Sequence, residues 1–131
     1  MYRNVLNDFV YVCPHCFNKL EYCTCLMFPH TLIQIDKKIW PTIKLLNEKW
    51  YFTEMCCEGH IGGNERIHII FRKNNRFKSL PEGFIASDNV IYADIVGKSE
   101  RSKKISKTKL LNSLHQWAIS LESKNILNKK S

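Results

Sequence analysis

The chain contains no apolar run long enough to span a membrane, and none follows Met1-Tyr2-Arg3-Asn4 as the core of a secretory signal would. The expectation is therefore a cytoplasmic protein with no transmembrane segment and no membrane partner. No internal repeat is present, which sets aside repeat architectures. Acidic residues are few: 12 Asp and Glu stand against 20 Lys and Arg, a formal charge of +8. A charged partner is then expected to be anionic, either nucleic acid or an acidic protein surface. At 131 residues we expect one domain with an adequate but not generous core, for which a metal staple at one end is useful.

What the chain does have is clustered cysteine. Cys13-Pro14-His15-Cys16 is followed closely by Cys23-Thr24-Cys25. Tetrahedral Zn²⁺ takes four thiolates at about 2.3 Å, and a CxxC turn presents two of them from one knuckle. The second pair is CxC, so the match to a zinc ribbon carries one deviation. We expect Cys13, Cys16, Cys23 and Cys25 to hold one structural Zn²⁺, with Pro14 and His15 as turn residues. Such a closed set leaves no coordination position for substrate water. The even count of six cysteines keeps a disulfide framework as the alternative, which a reducing cytoplasm disfavours. Four thiolates with one Zn²⁺ would lower the net charge to about +6.

The basic residues gather in two places. One is Arg72-Lys73-Asn74-Asn75-Arg76-Phe77-Lys78; the other is Lys98–Lys109, with Lys98, Arg101, Lys103, Lys104, Lys107 and Lys109 against Glu100 alone. We take Arg72, Lys73, Arg76, Lys78, Arg101, Lys103 and Lys104 as candidate partner-binding residues. The plain alternative is solvated lysine, inflated by the coding bias that the many Asn, Lys and Ile residues suggest.

Hydrophobic spacing divides the chain into a zinc-binding N-terminal module (1–30), an α/β body (31–123) and a fraying tail (124–131). The module opens with the apolar run Val5 to Val12. Asp36 is read as the N-cap of a helix running to about Lys49, with Ile39, Ile43, Leu46 and Trp50 on its apolar face. Pro41 requires that helix to start near Trp40 or to kink there. Strands are expected at Trp50–Met55 and Arg66–Arg72, with one or two more between Phe84 and Val96. The lysine-rich stretch is read as a link to a last helix, about Ser106 to Leu121, whose Leu110, Leu114, Trp117, Ala118 and Leu121 share one face. Trp40, Trp50 and Trp117 are assigned to core packing. His30 and His115 have no evident partners. The fold class is α+β: a small, mostly antiparallel sheet covered by two helices, with an N-terminal zinc knuckle.

Between the first two strands of the body lies Cys56-Cys57-Glu58-Gly59-His60, with His68 beyond it. Adjacent cysteines on extended chain point to opposite faces, so one of the pair faces the loop. Three readings stand open for Cys57 and His60. They are a structural turn with Gly59 left-handed, a second metal or partner site, and a thiol–imidazole reaction centre. Nothing in the sequence supplies an oxyanion hole, and we expect no catalytic residues. Glu65 and Arg66 flank the loop and are placed on its rim.

The segment Leu46-Asn47-Glu48-Lys49 through Cys56-Cys57-Glu58-Gly59-His60, with the Ile67–Phe71 strand after it, is similar to small proteins of Gram-positive bacteria and their phages. Those pair a helix ending in LN-x-K with a strand ending in CC-x-GH. More distantly it resembles the methyltransferase-type proteins of tRNA wybutosine synthesis, whose loop ends in a Ser/Cys-Ser-Gly-Arg run. Here Glu58 replaces the serine and His60 the arginine. With its zinc pattern and basic α/β body, the whole chain resembles zinc-containing anti-CRISPR proteins that inhibit type II RNA-guided nucleases. That resemblance implies a non-enzymatic inhibitor in the host-cell cytoplasm, which docks on the nuclease and interferes with loading of target DNA. A basic inhibitor would meet an acidic protein surface rather than imitate DNA. The alternatives are a nucleic-acid-binding zinc protein and an RNA-modifying enzyme with a pocket at Cys57–His60.

Overall fold

Two antiparallel sheets and two helices make up the described chain, residues 8–25 and 32–124 of a computed structural model. In order they are β1 (Phe9–Val12), β2 (Ile33–Asp36), α1 (Trp40–Glu48), β3 (Thr53–Cys57), β4 (Arg66–Phe71), β5 (Ile85–Ser87), β6 (Val90–Asp94) and α2 (Glu100–Ser120). The α+β class expected from the sequence is the one observed. His30 and the tail after Lys124 lie outside the described residues.

Strands β1 and β2 form a two-stranded sheet, and the other four form a sheet in the order β3-β4-β6-β5. Along β4 buried and more exposed residues alternate, which puts Ile67, Ile69 and Phe71 on one face and Arg66, His68 and Ile70 on the other. The first set joins Ile91 and Ala93 of β6, Ile43 and Leu46 of α1, and Leu114, Trp117 and Ala118 of α2 in one core. Val10, Val12, Phe17 and Ile35 belong to the same core. The N-terminal module is therefore packed into the body rather than appended to it.

Several boundaries differ from the sequence reading, each for a local reason. Asp36 ends β2 and is buried instead of capping α1, whose N-cap residue Ile39 supplies no side-chain bond. The helix begins at Trp40 with Pro41 in its first turn, where no intrahelical N–H is needed. It ends in a Schellman pattern: Tyr51 N–H donates to Leu46 C=O and Trp50 N–H to Asn47 C=O. That turn ejects Trp50 from the helix face and delays β3 to Thr53. The last helix starts at Glu100, not near Ser106, because Ser99 and Ser102 cap it reciprocally. Serine occupies the place where Glu or Gln usually marks such a box, so the start was hidden in the sequence. Most of the expected lysine-rich link is consequently helix.

The residues Leu46, Asn47 and Lys49 hold these elements together. Leu46 is fully buried. The Asn47 amide donates to Ile43 C=O (2.8 Å) and Thr53 Oγ1 (2.9 Å), and accepts from Thr53 N–H (3.1 Å), tying α1 to β3. Lys49 Nζ donates to the carbonyls of Ala118, Ile119 and Leu121 at 2.6–2.8 Å. A cation on those carbonyls caps α2 at the end where its dipole is negative. The LN-x-K run is thus a structural clasp.

Candidate metal centre

Strand β1 delivers Val12 and Cys13 into the core, and both are fully buried. The chain then folds back tightly. Phe17 N–H donates to Cys13 C=O (2.9 Å), Cys13 N–H to Asn18 C=O (3.0 Å), and Val12 bridges to Lys19. Phe17 turns the corner at φ 60°, an unusual conformation for a bulky residue. Its buried ring and the bond from Trp40 Nε1 to its carbonyl (2.8 Å) hold it there. A 3₁₀ turn, Leu20–Tyr22, then returns the chain toward the knuckle.

The consequence is that the Sγ atoms of Cys13, Cys16, Cys23 and Cys25 all lie within 4.8 Å of one another. In a tetrahedral tetrathiolate with bonds of about 2.3 Å, neighbouring sulfurs stand roughly 3.8 Å apart. Contraction by at most about 1 Å would close the group on an ion. None of the six cysteines is in a disulfide. Burial opposes ionisation of Cys13, but the N–H groups of Cys16 and His15 and the thiols of Cys23 and Cys16 outweigh it, bringing Cys13 down to about 7. Burial and the three neighbouring thiols push Cys25 up to about 12. With the four sulfurs this close, the four-cysteine group fits a metal ion.

The Cys56–His60 loop divides its residues between structure and surface. Cys56 pairs with Ile69 and Cys57 with His68, so Cys56 shares the inner face and Cys57 the outer. Burial, with the Asp36, Cys57 and Glu58 charges behind it, pushes Cys56 up to about 12. Burial raises Cys57 as well, against the Gly59 N–H that lowers it. Neither thiol is activated as a nucleophile would be. Glu58 is 6% exposed; its carboxylate accepts Lys107 Nζ (2.6 Å) and Lys38 N–H (2.9 Å), while its own N–H donates to Asp36 Oδ2 (3.0 Å). Gly59 sits at φ 80°, where a Cβ would come within 2.7 Å of Ile95 Cδ1. His60 Nε2 meets Asp36 Oδ2 at 3.2 Å.

The two basic patches fare differently. Arg72, Lys73, Arg76 and Lys78 are all exposed. On α2, Lys103 pairs with Glu65 (3.0 Å), Lys104 approaches Glu100 (3.4 Å), and Lys107 is buried on Glu58. Arg101 stays exposed. Glu65 and Arg66 do flank the loop, Arg66 forming a forked pair with Asp94 (2.6 and 3.2 Å) over the Tyr92 ring. His115, for which no partner was foreseen, has Nδ1 2.9 Å from Thr42 Oγ1.

Comparison with known proteins found no matching family model, curated protein or solved structure. The site must speak through its own residues.

Three features were not foreseen from sequence. Trp40 and Trp117 pack inward, with indole N–H groups on the carbonyls of Phe17 and Ser79, but Trp50 is 43% exposed. It stacks near Phe52, itself 46% exposed, with ring centroids 6.4 Å apart. Phe52 C=O accepts Arg72 N–H, which sets the first basic patch beside the aromatic pair. Finally, a cleft of about 260 Å³ runs between the knuckle and β3, lined among others by Pro14, Phe17, Ile35, Met55, Cys56 and Arg72. Among the described residues no helix is long and apolar enough to cross a membrane.

Proposed function

We propose that this chain is a zinc-stapled, non-enzymatic binding protein whose working surface is the aromatic and basic patch where β3 begins and β4 ends. Zn²⁺ suits the four-thiolate set because it is borderline-soft, redox-inert and content with a closed tetrahedron. In this reading the ion fixes the knuckle that walls one side of the β3 cleft. Trp50, Phe52, Met55 and Arg72 are the contact residues, extended by Lys73, Arg76 and Lys78.

One observation carries the reading. Trp50 occupies the left-handed position after a helix, at φ 71°, where glycine is usual. A bulky residue there costs roughly 1 kcal/mol relative to glycine, and this one still leaves 43% of its surface exposed. Exposed Trp, Met and Arg together are the composition of an interface core. The proposed partner is an acidic protein surface, and the type II RNA-guided nuclease implied by the resemblance is the first to test.

Replacing Trp50→Gly relieves the left-handed strain but gives up the contacts of the buried half of the ring, so the melting temperature should move little while partner binding weakens by more than tenfold, as loss of a central Trp does. Calorimetric titration against the nuclease, beside a thermal melt, measures both. Unchanged affinity would remove Trp50 from the interface. The same stacked pair beside Arg72 also favours a second reading, binding of single-stranded nucleic acid through base stacking. Affinity for generic single strands that falls steeply with salt would select it.

A further inference from the structure

The Cys57–His60 turn has a use that neither the fold nor the proposed binding surface absorbs. We propose that Asp36, Cys57 and His60 form a second transition-metal site, open to solvent at its fourth position. Cys57-Glu58-Gly59-His60 has the C-x-x-H spacing, with the two end residues as far apart in sequence as Cys13 and Cys16. The local geometry repeats too. His15 N–H lies 3.4 Å from Cys13 Sγ, and Gly59 N–H lies 3.4 Å from Cys57 Sγ. Both are turns in which the amide two residues on points at the sulfur.

The third ligand arrives from a different element. Asp36 ends β2, its side chain only 9% exposed, and Glu58 N–H on its Oδ2 holds the carboxylate in place. One ligand atom from each of the three residues falls within a mutual 4.8 Å. Asp36 Oδ2 and His60 Nε2 are 3.2 Å apart, close to the edge of about 3.3 Å for a tetrahedron with bonds near 2.0 Å. A carboxylate anchored by a backbone amide is the outer-shell support that metal ligands commonly show. One thiolate, one imidazole and one carboxylate form a borderline set that suits Zn²⁺ or Co²⁺ over Mg²⁺ or Ca²⁺. The His60 side chain is 46% exposed, so an ion has a route in, and water completes the coordination.

The test is a titration of the metal-stripped, full-length chain with Co²⁺, followed through thiolate-to-cobalt charge transfer and the visible d–d bands. Wild type should bind two ions per chain. His60→Ala and Cys57→Ser should each bind one, with far-UV circular dichroism matching wild type. His60 is exposed and Cys57 lies on the outer face, so neither change opens the core. His68→Ala removes the residue opposite Cys57 in β4, outside the ligand set, and should retain two ions. A His60→Ala chain that binds as many ions as wild type would overturn the proposal. Loss of an ion in His68→Ala would overturn the ligand set.

Discussion

Adding a strong chelator, or replacing Cys16→Ser, is expected to unravel the segment from Val12 to Cys25. The hydrogen bonds that hold it are few, and Phe17 is kept in a left-handed conformation by its burial. Structural zinc contributes on the order of 10 kcal/mol to small metal-folded units, more than these contacts can replace. The damage should spread, because Val12, Cys13 and Phe17 are buried parts of the main structure. Hydrogen exchange should show the module's amides losing protection first, with β4 and α2 holding longest. The melting temperature should fall in the same samples. Metal binding should also strengthen as pH rises, since each thiol must lose its proton to bind an ion, and burial and the neighbouring thiols raise that of Cys25 above its usual range. A melt and an exchange pattern unchanged by chelator or by Cys13→Ser would count against the staple.

The second large effect concerns Glu58. Its carboxylate and the Lys107 ammonium meet at 2.6 Å with side chains 8% and 11% exposed, and Lys38 N–H shares the carboxylate. Glu58→Ala leaves a buried cation and an amide without their acceptor. Breaking such a pair from one side costs about 3–5 kcal/mol, a large part of the stability of a small domain. A drop of roughly 10–20 °C in melting temperature follows from that cost. Replacing both residues together, Glu58→Met with Lys107→Met, should recover much of the loss, because the desolvation of two charges goes with them. Urea unfolding of the wild type and these two variants decides the matter. A Glu58→Ala change below 1 kcal/mol would mean that water reaches the pair.

These residues also show what the sequence could and could not reveal. Apolar periodicity placed both helices and strands β3 to β6, because burial along β4 and on α1 follows the periods of 2 and 3.6 directly. Cysteine spacing marked the four-cysteine cluster, since a CxxC turn carries its own geometry. Strand β2 was missed: four residues, Ile33–Asp36, are too short for a periodic signal and owe their form to pairing with β1. The role of Asp36 was illegible for the same reason, because its neighbours Glu58 and His60 are more than twenty residues away. Lys103 and Lys107 read as free charge until α2 brought them against Glu65 and Glu58. The exposure of Trp50 depends on a helix ending that carries no glycine to announce it.

The similarity segment takes on a different meaning in this light. Leu46, Asn47, Lys49, Cys56, Glu58 and Gly59 join elements or fill the core. In this chain the segment therefore does structural work before it can be assigned any activity. Function is then sought on the exposed surface around Trp50 and Arg72.

Zinc X-ray absorption on the His60→Ala chain, loaded with one equivalent of Zn²⁺, tests the metal staple most directly. Four sulfur neighbours at about 2.3 Å are expected, and Cys16→Ser should abolish that shell. A coordination shell of nitrogen and oxygen, or failure to retain the ion, would contradict the role assigned to Cys13, Cys16, Cys23 and Cys25.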